Sequence, residues 1–155
     1  MSHTALYCSS RPRRARSASC ARILAAALLL SPLGPALAQA PVPASPDAVL
    51  AECQKAIGKA PRYKLSGCLV EKLAQADRAL KEAGKLAHRA VDVGSSASPQ
   101  ALKSLAAAEH AFGAFREAEC QRRGDAMLGG SGAGDAQGAC AVWLTYWYAA
   151  QLRQN

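Results

Sequence analysis

The chain has 155 residues, of which 50% are hydrophobic, and a formal net charge of +8. Five of the 19 basic residues and none of the 11 acidic ones lie in residues 1–38, which leaves a formal charge of about +3 for residues 39–155. A charge this small, without a clustered basic face, argues against nucleic-acid binding. Residues 39–155 are enough for one domain with one modest core.

Residues 1–38 are predicted to be a secretory signal peptide. Five arginines precede or border the apolar run Ile23–Leu30, and helix-breaking residues and the cleavage motif Ala36-Leu37-Ala38 follow it. The alternative is a retained membrane anchor, but a bilayer span needs about 20 apolar residues and this run is shorter. We expect Sec-type export with cleavage near Ala38, giving a periplasmic or secreted protein without a membrane attachment.

Residues 39–45 form a Pro/Ala linker, and residues 46–155 are predicted to form one helical domain. Ser45-Pro46-Asp47 combines a capping hydroxyl, a first-turn proline and an acid near the positive end of the helix dipole. Gly58 and Pro61 are helix-ending residues, so the first helix is predicted over residues 46–57. Its predicted inward positions are Val49, Leu50 and Cys53.

The second predicted helix has the clearest pattern. From Cys68 to about Ala90, apolar residues recur at steps of four and three, which makes one continuous helical stripe. The many alanines in this stripe indicate a close approach between helices. The stripe comprises Leu69, Leu73, Ala76, Leu80, Ala83, Ala87 and Ala90. The positions expected to face solvent are Arg78, Lys81, Glu82 and Lys85.

Two further helices are predicted on either side of a glycine-rich segment. Ser98-Pro99 begins the third helix by the same capping arrangement as the first, and Gly124 ends it after Arg122 or Arg123. Residues 124–138 are predicted to be a flexible loop, and residues 139–152 the fourth helix. The inward positions are Leu102, Leu105, Ala108, Phe112, Phe115 and Glu119 on the third helix. Those on the fourth are Cys140, Leu144, Trp147 or Tyr148, and Leu152.

Because no segment alternates apolar and polar residues, the sequence predicts an all-α fold, a small three- to four-helix antiparallel bundle with two disulfides. Four cysteines remain after residue 38, and an even number in an oxidising compartment favours disulfides. Three pairings are possible. We favour the local pairs Cys53–Cys68 and Cys120–Cys140, each contributing about 3 kcal/mol. A zinc site is the rival interpretation, but the chain lacks C-x-x-C spacing.

Other candidate chemistry is weak. The glycines after Gly124 lack the Lys-Ser/Thr ending and preceding strand of a phosphate-binding loop. His88 and His110 have no second ligand four residues away. Acids on the third helix sit at spacings typical of a solvated, ion-paired face; they are Glu109, Glu117 and Glu119, with Arg116 between them. We therefore predict no catalytic, metal or cofactor site, and no enzyme.

Aromatic residues concentrate near the C-terminus. Four of them within residues 143–148 wrap most of a helix circumference, so they cannot all face inward on one helix. They form either a thick core around the last helix or a partner-binding patch. The candidate partner-binding residues are Trp143, Tyr146, Trp147, Tyr148 and Arg116.

Three motifs lie along the predicted helices. The first is Cys68-Leu69-x3-Leu73-x2-Ala76-Asp77-x2-Leu80. The second is Leu105-x2-Ala108-Glu109-x-Ala111-Phe112-x2-Phe115-Arg116-Glu117-x-Glu119-Cys120. The third combines Gly129-Gly130 with Cys140-x3-Leu144-Thr145. Together, over residues 50–152, they resemble the lysozyme inhibitor LprI-like family of bacterial envelope proteins.

The chain departs from that family's pattern at several positions. Glu109 stands where glutamine is usual, Phe112 where tryptophan is usual, and Lys81 where asparagine is usual. After Leu144-Thr145, Tyr146 takes the place of an arginine. If these positions bind the partner in relatives, this chain has a different partner.

The resemblance implies a protein that works by binding, with a lysozyme or another cell-wall or envelope protein as its partner. The segment Gly124–Gly138 is a candidate for insertion into a lysozyme cleft. Its possible anchors are Asp125, Met127, Leu128 and Asp135. The alternative is a structural envelope protein or assembly subunit without inhibitory activity. A hydrolase acting through the acids of the third helix is the least favoured class, and the sequence does not give the oligomeric state.

Overall fold

A computed structural model describes residues 41–154 as four helices. These are α1 (Pro46–Ile57), α2 (Lys64–Val91), α3 (Ser98–Asp125) and α4 (Ala133–Arg153). Residues 41–154 contain no strand, so the predicted all-α class is confirmed. Among these four helices, none has the length and apolar character that a membrane crossing requires. The predicted signal peptide, residues 1–38, lies outside the described residues.

The four helices form a bundle in which α4 is central. Consecutive helices run antiparallel, and α4 packs against each of the other three, with its largest interface on α2. That interface is close because fully buried alanines supply it, among them Ala76 and Ala83 from α2 and Ala149 from α4. α1 and α3 flank this pair, and α2 and α3 contact each other only sparsely. The predicted antiparallel bundle is confirmed.

The bounds of α1 agree with the sequence prediction. The Ser45 hydroxyl accepts a hydrogen bond from the Ala48 amide at 3.2 Å, and Pro46 occupies the first turn. Gly58 ends the helix with φ of +56°, a conformation that favours glycine. Val49 and Cys53 are fully buried, as predicted, and Leu50 packs against the core from its edge.

Both favoured disulfides are present. Cys53 of α1 is bonded to Cys68 of α2, and Cys120 of α3 to Cys140 of α4, with S–S distances of 1.96 and 2.09 Å. Three of these four cysteines are buried, and Cys68 is partly buried against the same core. The bridges therefore join α1 to α2 and α3 to α4 through the hydrophobic interior.

The prediction of a long flexible loop over residues 124–138 is wrong. α3 continues to Asp125 and α4 begins at Ala133, so the connection is only residues 126–132. Two glycines of the segment permit close packing. A Cβ at Gly124 would lie 3.3 Å from the Ala133 carbonyl oxygen, and one at Gly138 would lie 3.4 Å from Leu69. These glycines bring α4 against α3 and α2, and sequence alone does not distinguish this role from flexibility.

Smaller corrections concern α2 and α3. α2 begins at Lys64, four residues before Cys68, and Ala90 at the end of its stripe is exposed. On α3, Ala108 is exposed and the Phe115 side chain is 51% exposed. Ser98 is already helical, and its hydroxyl lies 3.1 Å from that of Ser95 instead of capping the helix. The α3 stripe is therefore narrower than predicted.

The two ends of the bundle differ. We define the disulfide end as α1, residues 64–76, residues 117–125, residues 133–144 and the connection 126–132. We define the open end as residues 78–91, 98–115 and 146–153. The disulfide end holds both bridges, whereas the buried core shared by α2 and α4 at the open end is Ala83, Ala87, Ala149 and Leu152.

Candidate functional site

The predicted aromatic patch on α4 is divided between the interior and the surface. Tyr146 belongs to the buried core, and Trp143 is partly buried between two core clusters. The Tyr148 ring stacks on the Phe112 ring with centroids 4.0 Å apart. Trp147 remains 40% exposed. The patch therefore offers a partner one large exposed side chain, Trp147.

The fifth candidate, Arg116, lies in a polar network at mid-height in the bundle. Its Nη1 donates to the Thr145 hydroxyl at 2.8 Å and to the Asp77 carboxylate at 3.1 Å. The fully buried Thr145 hydroxyl donates in turn to the Ala141 carbonyl at 2.7 Å. This network joins α2, α3 and α4, and it gives a buried hydroxyl two partners. Arg116 is accordingly engaged within the bundle.

The carboxylates of α3 are separated, and Glu119 and Glu109 have different partners. Glu119 accepts hydrogen bonds from Arg122 and Arg123, which lower its pKa to about 2. Glu109 bonds the imidazole of His88 on α2 at 3.0 Å. A carboxyl with a pKa near 2 is a poor proton donor at neutral pH. Glu117 and His110 are exposed, and residues 41–154 include no group of three His, Cys, Asp or Glu side chains able to hold a metal.

The connection between α3 and α4, residues 126–132, projects an apolar tip. Leu128 is 93% exposed and has φ of +49°, a left-handed conformation that is rare for a bulky residue. Met127 is 47% exposed. Backbone hydrogen bonds hold the turn, including Gly130 N–H to the Met127 carbonyl at 2.9 Å. We call residues 126–132 the α3–α4 loop.

Side chains from the α1–α2 connection support the α3–α4 loop. Arg62 donates to the Asp135 carboxylate in the first turn of α4 at 2.9 Å. Tyr63 is 70% exposed at the same end of the bundle. A Cβ at Gly132 would lie 3.2 Å from both the Arg62 guanidinium and the Met127 methyl, which shows how closely these groups meet. The loop base is therefore fixed while its tip is presented to solvent.

The comparisons with known proteins identify the family. A family model described as lysozyme inhibitor LprI matches residues 53–152, more than half of the chain. The chain belongs to the LprI lysozyme inhibitor family. Comparison with curated proteins and with solved structures returned no match. Two disulfides and an LprI-family domain indicate a protein that works outside the cytoplasm.

The motifs that carry the resemblance to LprI proteins meet where α2, α3 and α4 contact one another. Asp77, Arg116 and Thr145, one from each motif, form the polar network, and Cys120 and Cys140 form a disulfide. These residues specify the helix packing. The exposed tip at Met127 and Leu128 lies outside the motif positions, and both residues are among the possible anchors named from the sequence.

Proposed function

We propose that this protein is exported and inhibits a lysozyme by binding to it, without catalysis of its own. Its membership of the LprI lysozyme inhibitor family supports the choice of target. The signal-like segment 1–38 and the two disulfides support a periplasmic or secreted location. The inhibitory contact that we assign is the α3–α4 loop.

The observation that carries this assignment is the conformation of Leu128. A leucine side chain exposed to 93% stabilises no core, and φ of +49° is costly for a residue with a Cβ. Such strain persists where the surroundings enforce it, and it concentrates at binding segments. Here the Cys120–Cys140 bridge and the Arg62–Asp135 ion pair hold both flanks of the loop. A preorganised loop loses little conformational entropy on binding.

The chemistry of the tip suits a lysozyme groove. Glycoside hydrolases of this type hold two carboxylates beside a cleft that accommodates sugar rings. A narrow loop with Met127 and Leu128 at its tip fills such a cleft with apolar contacts and excludes the substrate. Since residues 39–155 carry a formal charge of only about +3, long-range attraction contributes little. We expect the affinity to depend weakly on salt concentration.

The test is inhibition of lysozyme by the oxidised protein, residues 39–155, using cell-wall substrate. The c-, g- and i-type enzymes are assayed separately, and each mixture is analysed by size-exclusion chromatography. We expect dose-dependent inhibition and a co-eluting complex with at least one type. Leu128→Gly removes the apolar tip and relieves the backbone strain, so inhibition falls at least about tenfold while the fold is retained.

A matched substitution at Val70 is the control for this test. Val70 is a surface residue of α2, 68% exposed and outside the loop. Because Val70 lies within a helix, glycine there would change the backbone conformation. The control is therefore Val70→Ala, which removes exposed apolar area without changing the backbone. Unchanged inhibition in Leu128→Gly would reject the loop as the contact. Absence of inhibition and of complexes with all three enzyme types would reject the lysozyme target.

A second candidate function, a structural or assembly subunit of the envelope, is favoured by exposed aromatics on α3 and α4. The pairings Cys120–Cys140 and Phe112–Tyr148 fix the antiparallel register, which sets Trp147 level with Gly113, two residues from Phe115. Trp147 is 40% exposed and Phe115 is 51% exposed. Self-association measured by sedimentation, and lost in Trp147→Ala, would support this function instead.

A further inference from the structure

We propose that the open end of the bundle holds a binding site for a single-chain anionic amphiphile, such as a fatty-acid carboxylate. The site is a cleft of about 490 Å³ between α2 and α3, with α4 beneath it. It lies at the opposite end from the α3–α4 loop. This assignment is independent of lysozyme inhibition.

The cleft exists because α2 and α3 contact each other only sparsely. Two polar contacts span the pair, the Asp77–Arg116 ion pair at mid-height and the His88–Glu109 hydrogen bond nearer the end. Gly84 lets Glu109 approach α2, since a Cβ there would lie 3.1 Å from its carboxylate oxygen. Between these two contacts, Phe112 of α3 stacks on Tyr148 of α4 and lines the bottom of the cleft.

The floor of the cleft is apolar. Leu80 contributes from α2, and the stacked rings of Phe112 and Tyr148 contribute from α3 and α4. The two rings are stacked at 4.0 Å with only 14° between their planes, so their facing sides cover each other and the remaining ring surface lines the cleft. Burial and the nearby Glu109 carboxylate raise the pKa of Tyr148, so its hydroxyl stays neutral at physiological pH. A hydrocarbon chain is the natural occupant of such a floor.

The α2 edge of the cleft is cationic. Lys81, Lys85 and Arg89 recur every four residues and therefore share one helix face. Lys85 pairs with Glu82 at 2.8 Å. Within residues 41–154, no carboxylate lies at ion-pairing distance from Lys81 or Arg89. These two cations are therefore available to a ligand anion.

An apolar floor with cations along one edge selects a ligand that has both characters. The tail lies on Leu80, Phe112 and Tyr148, and the acid group meets Lys81 or Arg89 at the α2 edge. Glu109 on the facing edge repels the acid group, so the ligand is oriented with its acid group toward α2. The cleft volume falls within the usual range of small-molecule sites, roughly 300–1,000 Å³.

The experiment measures binding of decanoate to the oxidised protein by calorimetry, below the concentration at which decanoate forms micelles. Acetate supplies the anion without the tail, and decyltrimethylammonium supplies the tail with a cation. We expect one decanoate per chain and binding of the other two at least about tenfold weaker. Backbone NMR shifts are expected in residues 80–89 and at Phe112 and Tyr148.

The double variant Lys81→Gln/Arg89→Gln tests the cationic edge. We expect decanoate affinity to fall about tenfold, with lysozyme inhibition unchanged. Arg78→Gln is the matched control, because Arg78 is an exposed residue of α2 outside the cleft. The affinity of the Arg78→Gln variant for decanoate is expected to equal that of the parent.

Three outcomes overturn the proposal. The first is equal binding of decanoate and decyltrimethylammonium, and the second is NMR shifts confined to the α3–α4 loop. The third is sedimentation of the protein with phosphatidylglycerol vesicles without binding of free decanoate, which would identify a membrane surface as the source of the anion. Binding of decanoate that the double variant weakens and Arg78→Gln does not supports the site.

Discussion

The disulfide end and the open end of this bundle are stabilised by different means. At the disulfide end, two covalent bridges and a core with Val49, Leu69 and Val142 fix the helices. At the open end, alanine contacts and the His88–Glu109 hydrogen bond take their place. The rigid end presents the strained Leu128, and the less constrained end contains the cleft. The constrained disulfide end and the cleft therefore lie at opposite ends of one small domain.

Removing a disulfide is expected to give the largest effect. Each bridge closes a loop of 15 or 20 residues, so Cys53→Ala/Cys68→Ala and Cys120→Ala/Cys140→Ala should each lower the free energy of unfolding by about 3 kcal/mol. Urea denaturation measures this loss.

In the oxidised protein, hydrogen exchange should be slower in residues 64–76 than in 80–90. Equal exchange at the two ends would contradict the distinction between them.

Disrupting the polar network between the ends is expected to have the next largest effect. Arg116→Met removes the hydrogen bonds to Thr145 and Asp77, so the free energy of unfolding should fall by about 2 kcal/mol. Arg78→Met, on the exposed face of α2, is the control and should change it little. A loss in Arg116→Met no larger than in this control would mean that the network does not stabilise the bundle.

Gly84→Ala tests how loosely the open end is held. A mid-helix glycine-to-alanine change adds about 1 kcal/mol of helix stability, while the displaced Glu109 side chain is flexible and its bond to His88 is partly exposed. We expect a small net gain, about 0.5 kcal/mol, in chemical denaturation. A net loss above about 1 kcal/mol would show that the open end is as tightly packed as the disulfide end.

The smallest effect is expected from pH. Hydrogen bonds from Arg122 and Arg123 lower the pKa of Glu119 from 4.5 to about 2. A lowered pKa stabilises the folded state above the unfolded-state value, and this contribution is lost as the pH falls from about 4.5 to 2. Glu119→Gln should therefore be less stable than the parent at pH 7, with the difference shrinking toward pH 2. Glu82→Gln at the open end is the comparison. If the stability difference between Glu119→Gln and the parent did not change with pH, the lowered pKa of Glu119 would be refuted.

The fold could be predicted where a local sequence pattern indicates only one structure. Ser45-Pro46 and Gly58 bound α1 as expected, and the favoured pairing of the four cysteines is present in the structure. The glycines of residues 124–138 have two meanings, flexibility and close packing. Gly138 against Leu69 illustrates the second, which depends on a partner helix distant in sequence.

The candidate sites were less accessible to sequence reasoning. The concentration of aromatics on α4 is real, yet only the helix packing determines that Tyr146 is buried and Trp147 exposed. The cleft depends on the sparse contact between α2 and α3, which no pattern within either helix encodes. Lys81 was expected to face solvent and does so, but its place beside Leu80 and Phe112 emerges only from the fold.

The central position of α4 affects how the chain acquires its structure. α4 packs against all three other helices and follows them in the chain, and without it α1, α2 and α3 have no common core. The Cys53–Cys68 hairpin can close early because its loop is local, whereas Cys120–Cys140 must wait for α4. We therefore expect the bundle to complete its core only after α4 has been synthesised, and a chain truncated before residue 140 to lack a folded domain.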